Sequence, residues 1–205
     1  HNESAHLVQG GPSAEPATAQ GTEMNATHSV DFFDKQFKQQ IRNHNFDLNP
    51  FEQAALPHLR GRVLDLGCGM GNLAAEAARR GCVVVARDAS AAAIAHLRQV
   101  AANGGLAIEA VQADLRHLDV HESFDAVVCI GLLMFFDCPT ARRSLASIRA
   151  HVLEGGIAVM NVLVEGTTYM DMFGAEEHCL FARGELTSSF RNWEVVHFDY
   201  SEFSA

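Results

Sequence analysis

The chain has 205 residues, a formal net charge of −10 and 48% hydrophobic residues, which indicates one acidic domain with enough apolar material for a core. The negative charge argues against nucleic acid as a partner, because phosphate backbones would be repelled. No apolar run reaches the length of a membrane-spanning helix, and the N-terminus lacks the basic and then apolar pattern of a signal peptide. We therefore expect no membrane or nucleic-acid partner.

The cysteines are odd in number and show no CxxC spacing, which argues against a disulfide framework and against a zinc site. Several of them lie in apolar runs that are typical of buried strands. We expect reduced, buried thiols in a cytoplasmic protein with no bound metal. The five are Cys68, Cys82, Cys129, Cys138 and Cys179.

Residues 1–29 are rich in small and polar residues and show no periodicity, so we interpret them as a flexible tail or a cloning leftover. A single domain is expected over residues 30–205. It begins with Phe32, Phe33 and Phe37 at roughly helical spacing, and a short helix follows over residues 51–59.

From residue 62 onward, strands and helices alternate along the chain. Strands are predicted over residues 62–66, 82–86, 106–112, 124–130, 157–164 and 193–200. Helices are predicted over residues 72–80, 90–102, 137–153 and 184–190. This alternation predicts an α/β fold, a Rossmann-like doubly wound and mostly parallel sheet with helices on both faces. A ligand would then bind at the carboxyl ends of the strands.

A glycine-rich turn follows the first of these strands and opens a helix, in Asp65-Leu66-Gly67-Cys68-Gly69-Met70-Gly71. Glycines allow a tight turn and a close approach of ligand to backbone, and the helix start adds amide donors. Asp88, at the end of the next strand, could accept both hydroxyls of a ribose. Asp88 or Ser90 could instead cap the following helix.

Two features of this turn favour S-adenosylmethionine over NAD. A dinucleotide fingerprint requires Gly or Ala where this chain has Asn72. Asp65, two residues before the first glycine, would repel a pyrophosphate, whereas it would attract the ammonium and sulfonium charges of S-adenosylmethionine.

Residues 62–200 resemble the class I S-adenosylmethionine-dependent methyltransferases. Residues 63–71 match the first motif of that family, Asp88 its ribose-binding acid, residues 113–115 its adenine segment and residues 124–130 its fourth strand. The resemblance implies S-adenosylmethionine as cofactor. The implied cofactor-binding residues are Asp65, Gly67, Cys68, Gly69, Gly71, Asp88, Ala89, Asp114, Leu115 and Ile130.

Within that family, residues 31–37, 133–136, 181–186 and 190–194 resemble the TehB-like tellurite-resistance methyltransferases. The family sheet ends in an antiparallel hairpin of a sixth and a seventh strand. No seventh strand is visible after the sixth, so either the chain is clipped or another segment covers that sheet edge. An uncovered edge would invite association, for example into a homodimer.

The expected partner is a small-molecule methyl acceptor, with a tellurium or selenium oxyanion as the first candidate. An oxygen- or nitrogen-directed methyltransferase and a non-catalytic binding module are the alternatives. The residues expected to contact the acceptor are Met134, Phe135, Met170 and Arg183. Further candidates are Phe136, Tyr169, Met172, Phe173, His178 and Arg42. No catalytic residue can be assigned. The aromatic segment near residue 33 is expected either to form a lid over the cofactor or to be an ordinary amphipathic helix on the sheet.

Overall fold

The computed structural model describes residues 4–9, 28–168, 170, 172–173 and 178–200. Within these residues the strands are β1 (Ser4–Gln9), β2 (Arg62–Leu66), β3 (Val83–Asp88), β4 (Ile108–Gln112), β5 (Phe124–Cys129), β6 (Val152–Met160) and β7 (Glu194–Asp199). The helices are α1 (His28–Asn43), α2 (Pro50–Ala55), α3 (Asn72–Arg79), α4 (Ala91–Gly104), α5 (Cys138–Ala150) and α6 (Glu185–Ser189). Short 3₁₀ turns cover Leu56–His58 and Leu133–Phe135.

One sheet organises the chain, with the strand order β4-β3-β2-β5-β6-β1-β7. The neighbours from β4 to β6 pair in parallel, whereas β1 pairs antiparallel with both β6 and β7. Successive side chains of a strand point to opposite faces. Val63 accordingly joins a core with α3 and α4, whereas Leu64 joins a second core with α5. The predicted Rossmann-like, mostly parallel sheet with helices on both faces is confirmed.

The seventh strand of the sheet comes from the N-terminal segment, for which no strand was predicted. Ser4–Gln9 lie between β6 and β7, and Leu7 is paired with Val159 on one side and with His197 on the other. The expectation that all of residues 1–29 form a tail is therefore wrong for this stretch. Its pairing partners lie far away in the chain, so local composition gave no sign of them. The strand also covers the β6 edge on which the homodimer expectation rested.

The chain around Gly155 and Gly156 also differs from the prediction. The helix predicted over residues 137–153 and the strand predicted from residue 157 left these glycines between two elements, but α5 stops at Ala150 and both glycines lie inside β6. Gly155 has a φ of +73°, and the pairing with β5 shifts register between Phe124 and Ala126. A glycine in a strand interior often marks such a bulge, which a sequence pattern cannot distinguish from a helix end.

The structure corrects the prediction that the cysteines are all reduced thiols. Cys138, at the start of α5, and Cys179, in the loop before α6, form a disulfide with a Cα–Cα distance of 4.7 Å. They are 41 residues apart in the chain, and their approach depends on tertiary folding alone. Cys68, Cys82 and Cys129 are free. No helix in the described part of the chain is both long and apolar enough to cross a membrane.

Candidate functional site

A cavity of about 880 Å³ opens at the carboxyl ends of the parallel strands. Residues that follow β2, β3, β4 and β5 form its floor, including Gly67, Asp88 and Asp114. Helix α1 forms the opposite wall with Phe33 and Phe37. The sheet edge at which the alternation of strands and helices predicted a ligand is therefore the place where the chain encloses space.

The glycine-rich turn is bonded to the end of the neighbouring strand. The amides of Gly67 and Cys68 donate to the carbonyl of Arg87 at 2.8 and 3.1 Å, and the amide of Gly69 donates to the Asp88 carboxylate at 2.8 Å. Gly67 lines the cavity, but Cys68 and Gly69 are not among the described lining residues. The turn is thus held rigidly beside the cavity, with one of its glycines at the surface of that cavity.

Gly69 and Gly71 face other parts of the protein. A Cβ atom on Gly69 would lie 3.1 Å from Cζ of Phe37, and one on Gly71 would lie 2.6 Å from Cδ2 of Leu97. Both have positive φ, +52° and +75°. Gly71 therefore allows α3 and α4 to pack closely, and Gly69 allows α1 to approach the turn. Direct contact of either with a cofactor stays a prediction.

Asp88 lies on the cavity wall and holds two loops together. Its two carboxylate oxygens accept from the amides of Gly69 and Ser90, each at 2.8 Å. Burial raises the pKa of Asp88, while these hydrogen bonds act in the opposite direction. The cap of α4 is Ser90, whose hydroxyl accepts from the amide of Ala93 at 3.1 Å. The alternative that Asp88 is the helix cap is therefore wrong.

Asp65 lies beneath the glycine turn and is only 5% exposed. Burial, followed by the charges of Glu52 and Asp88, raises the pKa of Asp65 to about 8. It is not among the described residues that line the cavity. A cation bound nearby would favour the charged form of Asp65, and its attraction for the ammonium group of a cofactor stays a prediction.

Asp114 lines the cavity but already has a partner. Arg116 donates to its carboxylate twice, from Nε at 2.9 Å and from a terminal nitrogen at 2.7 Å. The Arg116 side chain holds the pKa of Asp114 below its usual range. Any ligand amine that binds Asp114 would have to share it with Arg116. Three further predicted cofactor residues do line the cavity, namely Ala89, Leu115 and Ile130.

Helix α1 presents one face to the cavity. Val30, Phe33, Asp34 and Phe37 recur at helical spacing, and all four line the cavity. Asp34 accepts from the Ser90 hydroxyl at 2.6 Å and from the Ala92 amide at 3.2 Å, so α1 is bonded to the start of α4. Helix α1 thus lines the cavity and packs on α4, and its closure over a bound cofactor as a lid stays a prediction.

The expected acceptor residues divide into two groups. Met134 and Phe135 line the cavity, as does Met172. Met170 instead packs against the side of the apolar cluster that contains Met134. The Arg183 guanidinium lies 4.1 Å from the centre of the Tyr200 ring and is not among the described lining residues.

The other two cationic candidates are also engaged elsewhere. Nε of Arg42 donates to the Lys38 carbonyl at 3.2 Å, and the His178 ring stacks on Phe173 with centroids 4.8 Å apart. Tyr169 lies outside the described residues. Lining residues that the sequence did not indicate include Asp31, Asp34, Gln112 and Leu163. The helical spacing around Phe33 was the signal that could have indicated Asp34.

Comparisons with known proteins agree with this geometry. A family model described as a methyltransferase domain matches residues 63–156. The probable S-adenosyl-L-methionine-dependent methyltransferase TehB of Haemophilus influenzae is 24% identical over 139 residues, which are 67% of this chain and 48% of that protein. The ubiquinone biosynthesis O-methyltransferase of Rickettsia prowazekii is 28% identical over 102 residues, which are 50% of this chain and 40% of that protein.

The fold is shared with the crystal structure of TehB from Haemophilus influenzae. The two superpose with a TM-score of 0.63 and 17% identity, over 95% of this chain and 76% of that one. The present chain spans about half the length of the curated relatives it matches. The matched region, residues 63–156, contains the glycine turn, Asp88, Asp114 and the strands that hold them.

Proposed function

We propose that the chain carries a class I S-adenosylmethionine-dependent methyltransferase domain and that it transfers a methyl group from this cofactor to a small molecule. The observation that carries the proposal is the division of the cavity. Its sheet side presents Gly67, Asp88 and Asp114, and the opposite side is apolar, with Phe33 and Phe135. The cavity thus offers polar groups for a nucleoside on one side and aromatic surface for a second molecule on the other.

The residues present fit S-adenosylmethionine. Asp88 has a carboxylate at the cavity wall with lone pairs beyond those used by its two amide donors, so it can accept from ribose hydroxyls. Asp114 and Leu115 would hold the adenine, and Ile130 would lie beside the methionine part. Asp65, which lies outside the described lining, would attract the ammonium group only in its ionised form, which a nearby cation favours. When bound, the cofactor supplies an electrophilic methyl group on a sulfonium.

The chain itself contributes position and the exclusion of water. Helix α1, bonded to α4 through Asp34, covers the cavity from the side opposite the sheet. Phe33 and Phe37 present apolar surface there. An in-line displacement needs the nucleophile held against the methyl group in a dry site, and this arrangement provides both conditions.

Two kinds of acceptor follow from the comparisons. The similarity to TehB supports a chalcogen oxyanion such as tellurite or selenite, which needs little help from a general base. The similarity to the ubiquinone biosynthesis O-methyltransferase supports an oxygen nucleophile on a metabolite. A non-catalytic module that only binds the cofactor is the remaining alternative.

Calorimetry followed by turnover separates these possibilities. The chain should bind S-adenosylmethionine and S-adenosylhomocysteine without added metal. It should then consume the cofactor with at least one member of a panel of selenite, tellurite, phenols, amines and thiols. Binding without product across this panel would favour the module. If NAD raises the melting temperature and neither adenosyl ligand does, the methyltransferase proposal is wrong.

A further inference from the structure

We propose that the acceptor half of the cavity selects an uncharged molecule with an apolar, aromatic body and disfavours oxyanions. This inference rests on the proposed function and specifies its substrate class. It is carried by two independent properties of the cavity lining, the packing of its apolar side chains and the sign of its charged ones.

The apolar side chains come from three separate segments that converge on one space. Phe33 from α1 meets Phe135 from the 3₁₀ turn after β5, edge to face, with ring centroids 5.0 Å apart. Phe135 in turn lies 5.3 Å from Phe173, and Met134 and Leu163 pack in the same cluster. Exposed ring edges and faces of this kind favour contact with the ring of a bound molecule, at a distance between ring centroids of roughly 4.5–7 Å.

The charged side chains of the lining are almost all negative. Five carboxylates line the cavity and one guanidinium does, so the described lining carries four more negative than positive groups (five minus one). The guanidinium, Arg116, is already paired with a carboxylate. The net positive charge of S-adenosylmethionine leaves the lining negative. The five carboxylates are Asp31, Asp34, Asp88, Asp114 and Asp137.

Two of these carboxylates remain for the acceptor. Asp88 and Asp114 lie on the nucleoside side, and Asp34 is paired with Lys38 at 2.6 Å. The remaining two are Asp31, on α1, and Asp137, at the start of α5, which also accepts from the Thr140 amide at 2.8 Å. An anion entering the cavity would lose hydration and meet like charges, whereas a neutral ring would lose little.

The cations that could have held an oxyanion are placed elsewhere in the described part of the chain. Arg42 bonds to its own helix, Arg183 lies over Tyr200 and His178 stacks on Phe173, and these three cations are not among the described lining residues. Anion recognition in proteins relies on such side chains, and on guanidinium groups above all. The site lacks this element on its acceptor side, so an oxyanion has no fixed partner among the described lining residues.

The test is acceptor binding to the complex with S-adenosylhomocysteine, in which no transfer can occur. The probes are p-cresol, which is neutral, 4-hydroxybenzoate, which has the same ring and a carboxylate, and selenite. By calorimetry we expect p-cresol to bind at least about tenfold more tightly than either anion, which corresponds to about 1.4 kcal/mol. Equal affinities, a reversed order, or no binding of p-cresol would overturn the inference.

Two variants localise the effect. Asp31→Asn should reduce the ratio of the p-cresol affinity to the 4-hydroxybenzoate affinity, because it removes a negative charge from the cavity lining. The matched control is Glu109→Gln, which removes one charge at an exposed position of β4 that is not among the lining residues. If both variants change the ratio of the two affinities equally, the charge of Asp31 in the cavity lining is not the cause of the preference for the neutral molecule.

Phe135→Leu should weaken p-cresol binding at least threefold while S-adenosylhomocysteine affinity is retained, which also reports that the variant is folded. Loss of S-adenosylhomocysteine binding by the parent chain would remove the proposed function and this inference together. Retained S-adenosylhomocysteine binding with a preference for the anions would overturn the inference alone.

Discussion

Gly71 provides a sharp test of how the glycine turn works, because the structure assigns it to packing. Its φ is +75°, and a Cβ there would lie 2.6 and 2.9 Å from Cδ2 and Cγ of Leu97, a fully buried side chain. An alanine in the left-handed region costs about 1–2 kcal/mol. Overfilling a core costs about 1–3 kcal/mol more. Gly71→Ala should therefore lower the free energy of unfolding by about 2–5 kcal/mol.

Gly155→Ala is the matched control for the backbone contribution. Gly155 has nearly the same φ, +73°, and a Cβ added there meets nothing within 4 Å. It should cost only the backbone part, about 1–2 kcal/mol. Urea unfolding followed by circular dichroism measures both losses. In a thermal scan, each kcal/mol corresponds to about 2–4 °C for a chain of this size.

Two outcomes would refute the assignment of Gly71. Equal losses in the two variants would show that the contact with Leu97 contributes nothing. A folded Gly71→Ala protein that binds S-adenosylhomocysteine more than about tenfold more weakly would show that Gly71 contacts the cofactor, as the family resemblance implied. We expect an affinity within about threefold of the parent, because Gly71 is not among the described lining residues.

Three further predictions concern the site and the disulfide. Asp88→Ala should weaken S-adenosylmethionine binding at least about tenfold, since each charge-assisted bond is worth about 1.5–3 kcal/mol, and an unchanged calorimetric dissociation constant would contradict the ribose role. The pKa of Asp65 is raised to about 8, so the folded chain holds its proton more tightly, and stability present below pH 4 is lost as the pH rises toward 8. Between pH 5 and 8, the free energy of unfolding measured by urea titration should therefore fall less for Asp65→Asn than for the parent, by up to ~4 kcal/mol. Parallel plots of this free energy against pH for the two proteins would exclude the raised pKa. Reducing the Cys138–Cys179 disulfide should lower the free energy of unfolding by about 4 kcal/mol, because it removes the constraint on a loop of 41 residues in the unfolded chain. Cys82→Ser is the control, since it leaves the disulfide intact and should show the same loss on addition of reductant.

Local sequence patterns predicted the central part of the sheet and the side of the cavity that it forms. Gly67, Asp88 and Asp114 lie at or just after the ends of strands, and the carboxyl ends of parallel strands meet at one edge, so their proximity could be predicted without the tertiary structure. The opposite wall could not be predicted in the same way. Asp34 reaches Ser90 only because α1 docks on α4, across 56 residues of chain.

Non-local pairing also explains the larger errors. β1 has a composition that does not distinguish it from the polar residues around it, and it forms a strand because β6 and β7 offer it partners on both sides. The disulfide has the same origin, since Cys138 and Cys179 are brought together by the packing of α5 against the loop after β6. Features set by distant partners leave no periodic signal in the sequence.

The position of β1 between β6 and β7 has a consequence for synthesis on the ribosome. The strand is translated early, but its second partner begins at residue 194, which is 185 residues after the end of β1 at residue 9 (194 minus 9). At about 5–20 residues per second, β1 waits roughly 10–40 seconds before the sheet can be completed. During that interval β7 does not exist, so β1 can pair with β6 but its other edge has no partner, and the nascent chain presents an unpaired strand edge that is prone to aggregation.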